Sequence, residues 1–134
     1  MARKVNDKYK EAAEEFARRV ILALGDRIDS IVLYGSVARG EARRESDIDI
    51  LVIMPGAKDI DGQIEEISFN FEYERNFAFL ISLIQYSREE FYQRIELGSP
   101  FINEVLREGV ILYDNGTYTT IRDKVFTISR PSSE

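Results

Sequence analysis

The stretch that decides the fold runs from residue 30 to residue 53. It reads Ser30-Ile31-Val32-Leu33-Tyr34-Gly35-Ser36, then ten mostly polar residues, then Asp47-Ile48-Asp49-Ile50-Leu51-Val52-Ile53. Residues 30–34 are short, apolar and rich in β-branched side chains, which predicts a buried strand. That strand runs straight into Gly35-Ser36. Residues 47–53 alternate at first and then turn wholly apolar, predicting a second strand that the turn pair Pro55-Gly56 ends. The interval 37–46 carries Gly40 and several charges, and predicts a short helix and a loop.

The two halves of this stretch have complementary chemistry. Side chains two apart on a strand project to the same face, so Asp47 and Asp49 stand side by side with Ile48 facing away. Two carboxylates this close repel unless a cation lies between them. Magnesium accepts one or two carboxylates and completes its shell with water and substrate phosphates. Glycine after a strand allows close backbone approach to a ligand, and the amides of Gly35 and Ser36 suit phosphate oxygens. Each feature has a plain structural alternative: two aspartates that merely open an exposed strand, and a strand-to-helix turn capped by Ser36. Together they form the pair that phosphoryl chemistry asks for, backbone donors beside a metal site.

Outward from this stretch, residues 6–25 predict an amphipathic helix with Tyr9, Ala13, Phe16, Val20 and Leu24 on one face and Gly25 as its stop. Residues 59–74 predict a second long helix, marked by Ile60, Ile64, Ile67 and Phe71. Residues 77–85, almost without charge, predict a third strand. Ser87-Arg88-Glu89-Glu90 fits a capping box that opens a helix reaching about Leu97. Gly98-Ser99-Pro100 breaks it, and Pro100 opens another helix through Glu108. Val110 to Tyr113 reads as a short fourth strand that serves either a core or an interface. Asp114-Asn115-Gly116 is a turn, and residues 117–134 hold a last helix, with 118–134 peripheral and a frayed end at Pro131-Ser132-Ser133. The expectation is a single α+β domain over residues 1–134, with a small mixed sheet of three or four strands and helices mainly on one face.

Composition narrows the chemistry. The 134 residues include neither cysteine nor histidine, which removes disulfides, thiolate metal sites, His-containing triads and HExxH zinc motifs. Catalysis must then use carboxylates, hydroxyls, Lys, Arg or an oxygen-ligated metal. The net charge of −6 gives no basic stripe for nucleic acid. No run is long and apolar enough for a membrane span and no secretory signal is seen, so a cytoplasmic protein is expected.

The run Gly35-Ser36-Val37-Ala38-Arg39-Gly40-Glu41-Ala42, followed by Ser46-Asp47-Ile48-Asp49-Ile50-Leu51-Val52, resembles the signature of the DNA polymerase β-like nucleotidyltransferase superfamily. Its spacing of G-S, ten residues, D-x-D is similar to the minimal (MNT) branch, which includes antitoxin partners of HEPN-domain toxins. The resemblance implies that Gly35 and Ser36 hold the β- and γ-phosphates of a nucleoside triphosphate such as ATP. It implies that Asp47 and Asp49 bind Mg²⁺. Arg39 has equal standing as a phosphate contact and as a surface arginine; Arg43 and Arg44 are weaker candidates of that kind. Ser46 either orients Asp47 or is a plain turn residue.

One departure stands out. Members of the superfamily carry a third acidic residue on the next strand, where it helps bind the catalytic metal and accepts the proton of the attacking hydroxyl. The matching position here is Ser82. Three accounts follow: Glu72 or Glu74 fills the gap, the acceptor protein supplies the base, or the chain binds nucleotide without turning it over. By the resemblance, the expected function is transfer of AMP from ATP to a hydroxyl, with a tyrosine of a HEPN toxin as acceptor, and the alternative is a non-catalytic antitoxin module. A small-molecule transferase and a polymerase fit less well, for want of an acceptor domain and of a template surface.

Overall fold

Ile50, Leu51, Val52 and Ile53 are consecutive and all fully buried, so the strand they form must be covered on both faces. The computed structural model, which describes residues 2–56 and 62–129, supplies that cover. Along the chain come α1 (Ala2–Leu24), a 3₁₀ turn (Gly25–Arg27), β1 (Ser30–Tyr34), α2 (Gly35–Ala38), β2 (Asp47–Met54), α3 (Gln63–Glu74), β3 (Leu80–Ser87), α4 (Arg88–Glu96), α5 (Pro100–Glu108), β4 (Val110–Asp114) and α6 (Thr117–Ser129). The sheet has the order β3-β2-β1-β4. β1 is antiparallel to β2 and to β4, while β2 and β3 are parallel.

Two apolar layers flank the sheet. Ile31, Leu33, Ile48, Ile50 and Val52 meet Phe16, Val20, Val37, Ile64 and Phe71 of α1, α2 and α3. Val32, Leu51 and Ile53 meet Phe91, Ile102, Val105, Leu106, Tyr118 and Ile121 of α4, α5 and α6. Each such large side chain contributes roughly 1.5–3 kcal/mol on burial. The expected mixed sheet of α+β type is present with four strands. The expectation of helices mainly on one face is corrected: three helices cover each face, because from Ile50 onward β2 is apolar on both sides.

Element boundaries shift where local chemistry competes with the pattern. The short helix expected in residues 37–46 is α2, which starts two residues earlier and ends at Ala38. The third strand starts at Leu80 rather than residue 77, since Asn76 and Phe77 take positive φ of 53° and 58° in the turn after α3. α3 begins at Gln63; the part of the expected helix at Asp59 and Ile60, and the frayed Pro131-Ser132-Ser133, lie outside the described residues. The capping box forms, with the Glu90 amide donating to Ser87 Oγ at 3.0 Å and the Ser87 amide to Glu90 Oε1 at 2.8 Å. Among the described residues no helix is long and apolar enough to cross a membrane.

Candidate active site

β1 and β2 are paired in register so that Tyr34, the last residue of β1, lies opposite Asp49. The chain leaving β1 therefore turns directly over the aspartate. Gly35 makes that turn at φ 76°, a conformation that costs a non-glycine residue about 1–3 kcal/mol. Space matters as much as conformation. A Cβ built on Gly35 would stand 2.1 Å from Asp49 Oδ2 and 3.0 Å from its Cγ. Only glycine lets the backbone rest against this carboxylate.

The strand alternation expected for the aspartates holds. Ile48 is buried in the α1–α3 layer, while Asp47 and Asp49 project to the opposite face, Asp47 exposed and Asp49 half-buried. In the parallel pair with β3, Asp49 lies beside Ser82 and Asp47 beside Leu80. The Ser82 hydroxyl is near enough to favour the charged form of Asp49. Burial raises the Asp49 carboxyl above its usual range, and the neighbouring Asp47 charge adds to that; Arg39 and the Ser82 hydroxyl offset part of it. Tyr34, packed edge-on against Phe101 at 5.2 Å, is pushed up to about 12 by burial and by the Asp49 charge. Burial is the first cause of both shifts and neighbouring negative charge the second; a cation beside Asp47 and Asp49 would relieve that charge.

The loop after α2 is tied down by α1. The Ala42 amide donates to Asn6 Oδ1 at 2.9 Å, and the Glu45 amide to the Tyr9 hydroxyl at 3.0 Å. Ser46 closes the turn before β2, accepting from the Arg43 amide at 2.8 Å through Oγ, so its observed contact is with the loop. Arg39 extends from the end of α2, with its guanidinium 3.0 Å from Glu41 and 3.4 Å from Glu108. It is close enough to Asp49 to lower that carboxyl's pKa. Arg43 and Arg44 are exposed on the loop.

The two glutamates considered as substitutes for the third acid are committed elsewhere. Glu72 accepts the Ile81 amide at 2.7 Å, and Ile81 faces the α1–α3 layer. Glu74 pairs with Arg19 at 2.7 Å. Among the described residues no group of three or more Asp and Glu is placed to hold a metal ion, leaving the Asp47–Asp49 pair. The parts that sequence reading missed are Tyr34, the Asn6 and Tyr9 ties, and Glu108 on Arg39. Each joins residues whose proximity exists only after the sheet and α1 have assembled.

The model of the nucleotidyltransferase domain family matches residues 10–113. Two Methanocaldococcus jannaschii proteins, both named as proposed protein adenylyltransferases, are similar to this chain. One is 30% identical over 75% of this chain and 94% of its own length. The other is 35% identical over 78% and 97%. Among solved structures, a chain of the complex between a tri-AMPylated Shewanella oneidensis HEPN toxin and an MNT antitoxin superposes with a TM-score of 0.50. That match has 15% identity and covers 88% of this chain and 84% of that one. At that identity it bears on the fold.

Proposed function

The chain belongs to the nucleotidyltransferase domain family, and from that premise we propose that it is a Mg²⁺-dependent adenylyltransferase that moves AMP from ATP onto a protein hydroxyl. The observation that carries this reading is the seating of the Gly35 turn against Asp49. It joins a backbone phosphate cradle and a carboxylate pair in one pocket, as in-line phosphoryl transfer requires. The names of the two archaeal relatives favour AMP as the group moved and a protein as its acceptor. The HEPN–MNT complex, whose toxin is AMPylated, supports a finer version, in which this chain is an antitoxin and the acceptor is a HEPN toxin; a tyrosine as the accepting hydroxyl is what the sequence resemblance implies.

The donor set fits magnesium: two carboxylates side by side, one raised by burial and by its neighbour, with room for phosphate oxygens to complete the shell. Asp47 and Asp49 would hold the ion, which supplies charge neutralisation at the phosphates. The amides of Gly35 and Ser36 and the Ser36 hydroxyl hold the triphosphate. No side chain caps these amides, since Tyr34 at the N-cap makes no such bond. Arg39 exchanges Glu41 and Glu108 for phosphate charge. The acceptor oxygen attacks the α-phosphorus, the bond from that phosphorus to the bridging oxygen breaks, and pyrophosphate leaves. Ser82 is no base, and Glu72 and Glu74 are engaged away from the pocket. The proton of the acceptor hydroxyl passes to a base carried by the acceptor protein.

The test is transfer of label from α-labelled ATP in the presence of Mg²⁺ to a lysate of the host or to a purified HEPN partner, with Asp49→Asn beside it. Labelling of one protein band is expected, falling at least about 10²-fold in the variant, the scale for losing one electrostatic catalytic contact. Undiminished labelling by Asp49→Asn would sink the site assignment. A second reading has its own observation, Ser82 beside Asp49 where a third acid is expected: a module that binds nucleotide and neutralises its partner without turnover. Mg-ATP binding with no labelled product, and neutralisation that survives Asp47→Asn, would favour it.

A further inference from the structure

We propose, on the premise of the AMP transfer above, that the acceptor reaches the site across the start of β3, where Leu80 and Phe77 select a protein whose hydroxyl stands in an uncharged, apolar surface. The placement follows from strand order. Asp49 lies between Tyr34 of β1 and Ser82 of β3. The Gly35-Ser36 turn leaves β1 and rests against Asp49. The triphosphate tail therefore lies on the β1 side of the carboxylate pair, with the reacting phosphorus over β2. Attacking and leaving oxygens stand in line on opposite sides of that phosphorus. Pyrophosphate leaves toward Gly35 and Ser36. The acceptor oxygen forms its bond from the opposite side, and β3 is what lies there.

The pleat sets which side chains the acceptor meets. Phe79 and Ile81 pack in the α1–α3 layer, so Leu80 and Ser82 project to the other face, with Asp47 and Asp49. Leu80 is the register partner of Asp47, and Ser82 of Asp49. Leu80 is 45% exposed, a large aliphatic side chain open to solvent beside two carboxylates. Phe77, three residues earlier in the turn into β3, is 49% exposed. Its ring packs against those of Phe69 and Tyr73, both also exposed, with centroids 6.1 and 6.2 Å away. One exposed leucine is ordinary, whereas several large apolar side chains exposed together mark a contact surface. This one begins at the carboxylate pair.

The chemistry of that surface selects the class of acceptor. β3 holds no charged residue from Leu80 to Ser87. The glutamates that precede it are taken, Glu72 by the Ile81 amide and Glu74 by Arg19. A small polar alcohol would find the Ser82 hydroxyl and no charge to hold it. A protein would cover Leu80 and Phe77 with apolar surface around its hydroxyl, the apolar centre that protein contacts use. Proton transfer favours the same class. Ser82 is no base, so the acceptor brings its own, and a folded protein can hold a base beside its hydroxyl where a free alcohol cannot.

The experiment follows label from α-labelled ATP, with Mg²⁺, onto the host protein that wild type labels, purified and varied in concentration. N-acetyltyrosine amide and glycerol serve as small hydroxyl probes. Leu80→Asn, Phe77→Asn and Leu22→Asn are compared, with circular dichroism for folding and titration with Mg-ATP for the nucleotide site. Asn accepts the φ of 58° at Phe77, so that variant loses the ring at little backbone cost. Leu22 is 86% exposed and lies beside Leu112 and Tyr113 of β4, at the opposite edge of the sheet. Leu80→Asn and Phe77→Asn are expected to bind Mg-ATP as wild type does and to raise the KM for the protein at least about tenfold, the scale of an interface anchor, with kcat changed less. Leu22→Asn should match wild type, and the small probes should stay unlabelled. An unchanged KM in both folded variants, loss of Mg-ATP binding in folded Leu80→Asn, or a small probe labelled as efficiently as the protein would overturn the acceptor surface alone. No labelled protein from a wild type that binds Mg-ATP would overturn the transfer reaction, and this surface with it.

Discussion

Gly35 and Asp49 carry the proposed site between them. Gly35→Ala meets two penalties, the positive φ of 76° and the overlap of its Cβ with the Asp49 carboxylate. It should cost about 1–3 kcal/mol of stability and abolish nucleotide binding, checked by denaturant unfolding and by titration with ATP. Asp49→Asn should act in the opposite sense on stability. The folded-state pKa of Asp49 is raised, by burial first and by Asp47 second. The sign follows by linkage: the unfolded chain ionises this group more readily, so its charge opposes folding as pH rises through the folded pKa. Without ligand, Asp49→Asn should melt at a higher temperature than wild type at neutral pH and at the same temperature well below pH 4. A lower melting temperature at neutral pH would show that the carboxylate supports the fold.

At the scale of elements, the termini of helices explain how a short domain orders its edges. α6 starts under Asp114, which accepts the Ser30 hydroxyl at 2.7 Å, the Gly116, Tyr118 and Thr119 amides at 3.1 Å, and the Thr119 hydroxyl. Burial alone would raise this carboxyl; the hydrogen bonds from Thr119, Ser30 and the amides outweigh it and leave the pKa lowered. Its contribution is therefore present above the ordinary carboxylate range and lost as pH falls through the lowered value. Asp114→Asn should flatten the acid limb of the stability profile below about pH 4, the reference range for Asp, measured by urea unfolding at a series of pH values. Ser87→Ala removes the cap of α4 and should cost about 1 kcal/mol, leaving β1 and β2 in place.

Across the whole molecule, an ion pair between a buried carboxylate and a half-exposed arginine ties distant parts together. Asp29, 1% exposed, accepts two bonds from Arg88 at 2.9 and 3.0 Å and one from Asn115 at 2.9 Å. It thereby links the entry to β1, the start of α4 and the turn before α6, at the end of the sheet away from Asp47 and Asp49. Arg88→Met leaves a buried carboxylate short of two charged hydrogen bonds and should cost about 1.5–3 kcal/mol, read as a drop in melting temperature. The exposed pairs of Arg39 are of another order. Arg39→Gln should change stability by less than about 1 kcal/mol while weakening ATP binding, a separation that unfolding and titration can check.

The sequence by itself determined the element types, the capping box, the same-face placement of Asp47 and Asp49, and the chemistry of the Gly35-Ser36 turn. These follow from side-chain period, φ requirements and charge within a few residues, and such information is local. It also marked Ser82 as the residue to question, through a resemblance in pattern. Only the tertiary structure decided that the sheet runs β3-β2-β1-β4, that helices cover both faces, and that Asn6 and Tyr9 fasten the loop. It alone seated Gly35 on Asp49 and drew Glu72 and Glu74 away from the pocket. Strand pairing and burial bring together residues tens of positions apart, and only after that assembly is it settled which carboxylate meets an amide, which meets an arginine and which is left facing the pocket.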